Sequence, residues 1–164
     1  MNSIVHAYDR FLALLAVVVG IMVMASMIFV VVDVLLRYFW GTPIGWVIEL
    51  CEYFLLFIPF LGMAWLVRQL EGHIRIDIIV QAFNERLQAI LDCSGSVLVA
   101  VALFFAGYHS ALSAWSHVVR NVQTPGVYPV PKGYLMFVIT LGFTLSAIEF
   151  LRKAYGHYRE LRPS

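Results

Sequence analysis

Residues 11–36 read Phe11-Leu-Ala-Leu-Leu-Ala-Val-Val-Val-Gly20-Ile-Met-Val-Met-Ala-Ser-Met-Ile-Phe-Val30-Val-Val-Asp33-Val-Leu-Leu36. No ionisable side chain interrupts the run before Asp33. A helix rises about 1.5 Å per residue, so about 20 apolar residues cross the ~30 Å hydrocarbon core of a bilayer. Three further stretches meet the same test, at about 46–67, 94–118 and 130–151. Backbone N–H and C=O groups in lipid must be satisfied within their own segment, which selects helices. The expected fold is therefore an all-α integral membrane protein, one domain over 1–164 with four transmembrane helices. Arg10 precedes the first run, but the run is longer than the apolar core of a secretory signal, so a retained span is expected.

Composition supports this reading. The chain is 62% hydrophobic and 13% charged, against about half and about a quarter in soluble domains. A formal net charge of +1, without blocks of like charge, gives no reason to expect a nucleic-acid partner. Cys51 and Cys93 form no CxxC pair and read as small apolar residues.

Lys and Arg in the flanks set the orientation. Arg10, Arg68, Arg75, Arg86, Arg152, Lys153, Arg159 and Arg162 fall on one side, against Arg37, Arg120 and Lys132 on the other. Both termini and the middle connection are expected in the cytoplasm. In that connection Ile76, Ile79, Val80, Phe83, Leu87, Ile90 and Leu91 recur at helical spacing, opposite Asp77, Gln81, Asn84, Gln88 and Asp92. This predicts a cytoplasmic amphipathic helix over about 76–92, against lipid or a partner.

Ionisable groups within spans are functional candidates. Here Asp33, Glu49 and Glu52 sit near outer ends and Glu149 near an inner end, while the span centres around Val23, Phe57, Ala106 and Thr140 carry no formal charge. Secondary transporters place solute and ion sites near the midplane on interrupted helices. The chain offers only Pro59 as an interrupter, which withdraws the N–H from the Leu55 carbonyl. A transport pathway formed by this chain alone is not expected. Glu49 and Glu52 share a helix face, and Arg37 is within reach of one of them or of Asp33 four residues earlier. An outer-end polar cluster tying helices together is the reading that follows. Ala102, Ala106, Ser110 and Ala114, four apart, read as a packing seam with a helix of this chain or of another subunit. His109 lies within a span and His117 near the outer end of the same helix, so no intrachain pair of axial haem ligands is expected. No zinc-ligand cluster or nucleophile elbow appears, so neither a cofactor nor an enzyme activity is expected.

The junctions between spans carry a resemblance. Arg37-Tyr-Phe-Trp-Gly41-Thr-Pro43-Ile-Gly-Trp46-Val-Ile-Glu49-Leu50 follows the first span; Leu61-Gly62-Met-Ala64, Arg68 and Glu71-Gly72-His73-Ile74-Arg75-Ile76-Asp77 follow the second. Thr124-Pro125 and Pro131 follow the third, and Gly142-Phe143 lies in the fourth. In this order the motifs resemble those of small permease subunits of TRAP (tripartite ATP-independent periplasmic) transporters. The chain departs from the pattern at Thr140, where the family often has proline, and in the longer Pro125–Pro131 interval with its extra Pro129.

The resemblance implies a small subunit in the bacterial inner membrane, partnered by a large polytopic permease subunit and a periplasmic solute-binding protein. The receptor delivers an organic acid, such as a dicarboxylate, a keto acid or a sialic acid. The large subunit moves it by an elevator motion on an ion gradient, usually sodium, and the small subunit braces the scaffold. Arg37, Trp46, Glu49, Glu52, His73, Arg75, Asp77, Ala102, Ala106, Ser110 and Pro125 become the candidates for structural or subunit-interface roles. Two other readings remain at this point: a membrane anchor of a redox complex, and a self-sufficient homodimeric transporter with Glu49 or Glu52 as its proton site.

Overall fold

The computed structural model describes residues 2–42, 44–69, 85–126 and 128–160. Four helices account for most of them: α1 (Asn2–Trp40), α2 (Gly45–Gln69), α3 (Glu85–Val119) and α4 (Lys132–Glu160). All four are long and apolar enough to cross a membrane. At 39 residues α1 measures about 58 Å, so it projects well beyond the hydrocarbon core. The first three expected spans fall inside α1, α2 and α3, and the fourth, at about 130–151, starts just before α4. Residues 85–92 are helical and continue unbroken into the third span; the rest of the expected amphipathic helix lies outside the described residues.

The helices form an open row rather than a closed bundle. α1 packs on α2, α2 on α4, and α4 on α3, the last contact being the most extensive. Large apolar side chains therefore point outward along every helix, among them Val17, Ile21, Met24 and Met27 of α1 and Leu98, Val101, Phe104 and Phe105 of α3. Such a surface suits lipid or another membrane subunit, not water.

Small residues set the close contacts. On α3 the buried set is Ser96, Ala100, Leu103, Gly107 and Ala114, a spacing of three and four that keeps one side of the helix against α4. Gly142 of α4 meets the backbone of α2: a Cβ there would stand 2.8 Å from the Phe60 carbonyl carbon. The next residue, Phe143, packs edge-on against the Phe60 ring with centroids 5.1 Å apart. Gly133 lies against Val118, where a Cβ would come within 3.3 Å of the Ala114 carbonyl oxygen. Glycine thus lets backbones approach where lipid-phase association depends on contact rather than on expulsion of water. Midway along the α3–α4 contact, the Thr140 hydroxyl donates to Ser110 Oγ at 2.9 Å. Thr140 thus supplies an interhelical hydrogen bond.

Candidate functional site

The polar side chains gather at the two ends of the row. At one end, called outer after the orientation expected from the flanking charges, α1 stops at Trp40, and Gly41 takes a φ of +66° while its N–H closes on the Arg37 carbonyl at 3.1 Å. This left-handed residue past the helix end reverses the chain without a Cβ clash. Asp33, 4% exposed, then receives two donors: Arg37 Nη2 at 2.8 Å and the Ile44 N–H at 2.7 Å. Ile44 immediately precedes α2, so the carboxylate caps the next helix from the preceding one and meets the positive end of its dipole. Of the partners open to Arg37, Asp33 is one it takes. Trp46 stacks edge-on with Phe29, centroids 6.0 Å apart, and adds an apolar contact at the same level.

Glu49, one turn into α2, reaches the connection between α3 and α4. Its Oε2 accepts the Tyr128 N–H at 3.2 Å, and a Cβ on Gly126 would stand 2.9 Å from its Oε1. One turn further, the Tyr53 hydroxyl is 3.0 Å from Thr124 Oγ1, which also accepts the Val130 N–H at 3.0 Å. The connection closes on itself through an antiparallel bridge between Gln123 and Pro131, with Thr124 N–H to Val130 O at 3.0 Å and Lys132 N–H to Val122 O at 2.9 Å. Asn121, at φ 50°, begins it; asparagine is among the residues that tolerate this left-handed region. The proline-rich loop is thus a folded element pinned to α2, with Pro125 exposed at its surface.

At the opposite end, called inner on the same expectation, a second cluster joins α1, α2 and α4. Arg68 of α2 hydrogen-bonds the Asp9 carboxylate of α1. Arg152 of α4 lies 3.8 Å from the same carboxylate and 3.3 Å from the buried Glu149 on its own helix. Its guanidinium carbon also stands 5.6 Å from the centroid of the Tyr8 ring. Cys93 of α3 adds a weak thiol contact to the Ala154 carbonyl at 3.7 Å. Two acids and two arginines balance in formal charge, as partly buried groups require.

Of the sequence candidates, the structure gathers Arg37, Trp46 and Glu49 at the outer end. It places Ser110 at the α3–α4 contact and leaves Ala106 half-buried and Ala102 exposed. Glu52 is exposed on α2. His73, Arg75 and Asp77 lie outside the described residues. Sequence reasoning passed over Asp9, Arg68, Tyr53 and Thr124 as contact residues; acids and arginines recurring at the same membrane level were the available signal. Among the described residues, no group of three or more His, Cys, Asp or Glu side chains is placed to hold a metal ion.

No curated protein compared with the chain matches it. The family model described as "Tripartite ATP-independent periplasmic transporters, DctQ component" matches residues 26–160, from the middle of α1 to the end of α4. The match lends no support to the redox-anchor or homodimer readings. Four membrane-crossing helices and this match over most of the chain agree: the protein belongs to the DctQ family, the small membrane component of tripartite ATP-independent periplasmic transporters.

Proposed function

We propose that this subunit braces the scaffold of a large permease subunit during ion-driven import of an organic acid delivered by a periplasmic receptor. The observation that carries the reading is the open row of helices tied at both ends, with its formal charges near those ends rather than at the span centres. A solute carrier needs a polar midplane site. A brace needs breadth in the bilayer and a fixed shape. Four helices side by side supply the breadth, and the two clusters oppose sliding of one helix along another. The large subunit then carries the solute and ion sites, with sodium as the coupling ion.

On this reading both termini face the cytoplasm of a bacterial inner membrane, the amphipathic helix over 76–92 rests at the inner surface against lipid or the partner, and the Glu49-pinned loop lies near the docked receptor. His73, Arg75 and Asp77 belong to that inner surface. The test is a tagged pull-down from native membranes in mild detergent. A one-to-one complex with a much larger polytopic protein is expected. A chain that emerges alone, or in a coloured complex with redox proteins, contradicts the proposal.

A further inference from the structure

Beyond Trp46 in its first turn, exposure on α2 follows one line. Gly45, Ile48, Glu52, Leu55, Pro59, Leu66 and Gln69 are exposed, while Val47 and Ala64 are buried. Steps of three and four residues keep that line on one face of the helix, the pattern that seats a neighbouring helix. α2 lies inside the row, between α1 and α4, so the line runs along the middle of one broad face. Beside its inner half, α1 and α2 part to leave an apolar groove of about 800 Å³, lined among others by Ala13, Ala16, Gly20, Pro59, Gly62 and Leu66. Small side chains on both walls let a backbone approach closely.

Chemistry on the outer half names the occupant. Glu52 stands about 10 Å along the axis from the start of α2, beyond the first turns where Trp46 and Glu49 sit. Among the described residues it has no hydrogen bond or ion pair. A carboxylate at that level is costly when turned to lipid, and acids within spans pair or face a protein interior. Leu55 lies one turn on, and Pro59, a further turn along, supplies no N–H to its carbonyl. The face thus presents an acid and a carbonyl one turn apart, both of them acceptors, above an apolar groove.

We infer that this α2 face, with the α1–α2 groove below it, receives a transmembrane helix of the large permease subunit that is apolar in its inner half and brings a lysine or arginine to Glu52. The inference rests on the subunit reading above and adds to it the face, the depth and the sign of the contact. Charge complementarity makes the contact selective, and the groove gives it area. Lipid in place of a helix leaves the carboxylate without a cation from the described residues.

The test uses the intact complex in native membranes. A photoreactive benzoylphenylalanine replaces Leu55, with Glu52 unchanged, and the adduct is identified by mass. An adduct with the large subunit is expected. In parallel, Glu52→Lys is expected to lower the co-purified large subunit about tenfold or more, Glu52→Gln to lower it less, and an acid in place of the partner's crosslinked-helix cation to restore the Glu52→Lys complex. Adducts with lipid alone, in a complex that still co-purifies, overturn the inference and leave the subunit reading standing; so does full co-purification of Glu52→Lys. Adducts with a second copy of this chain, and no large subunit in the eluate, overturn both.

Discussion

Asp9 and Arg68 stand 59 residues apart in sequence and meet at the inner end of α1 and α2. Each side chain is about 30% exposed, and Arg152 of α4 approaches the same carboxylate. The contact closes the α1–α2 hairpin at the end opposite its turn. Charge-reinforced hydrogen bonds at partly buried positions exceed the small value of surface pairs. Asp9→Ala and Arg68→Ala are each expected to lower stability, and the double variant by less than the sum of the two. Unfolding in mixed micelles, followed by tryptophan fluorescence, measures the cycle. Strict additivity contradicts a direct coupling.

The outer end depends on one buried carboxylate. Asp33→Ala removes the cap on α2 and the partner of Arg37, at an expected cost of about 2 kcal/mol. Asp33→Asn keeps an acceptor for the Ile44 N–H and is expected to cost less. Arg37→Ala is expected to be the mildest of the three, because the Arg37 side chain is 54% exposed. The same unfolding assay ranks them, and an Arg37→Ala loss equal to that of Asp33→Ala contradicts the capping role.

The loop between α3 and α4 is expected to loosen without loss of the helices when its ties are cut. Thr124→Val removes the bonds to Tyr53 and to the Val130 N–H. Hydrogen exchange at the Val130 amide is expected to accelerate by about tenfold or more, as for a local opening, while exchange in α3 and α4 is unchanged. Glu49→Ala is expected to expose the Tyr128 amide similarly, and Glu49→Gln less so because its carbonyl still accepts. Uptake at the wild-type rate by Glu49→Ala separates the loop from any role in receptor delivery.

Gly142 has no room for a side chain, since the atoms it meets are the Phe60 carbonyl and Cβ, which cannot rotate away. Gly142→Ala is expected to cost about 2 kcal/mol and Gly142→Val more, with α2 and α4 forced apart. Both are expected to reduce the yield of folded subunit in detergent. Ala106, half-buried on α3, should tolerate small replacements better. Equal yields for Gly142→Val and Ala106→Val contradict the close α2–α4 approach.

Four helices were legible because a run of about 20 apolar residues leaves little alternative in lipid. The Asp33–Arg37 pair was legible from four-residue spacing alone. The inner cluster was not, because pairing Asp9 with Arg68 depends on how two long helices rotate against each other. The small-residue line on α3 shows the same limit. Steps of four drift around a helix by about 40° each, so Ala102 has turned outward by the level where Ala114 is buried. The buried set mixes steps of three and four and stays on one side. Glu49 was recognised as an outer-end residue, but its contact with Tyr128 required the fold of a loop whose prolines and glycine indicate a turn without giving its path.

The most direct test of the brace is reconstitution. Vesicles receive the large permease subunit with or without this chain, together with the loaded receptor and an inward sodium gradient. Uptake only when both subunits are present, with unchanged solute binding by the receptor, is the predicted result. Full uptake by the large subunit alone contradicts the account.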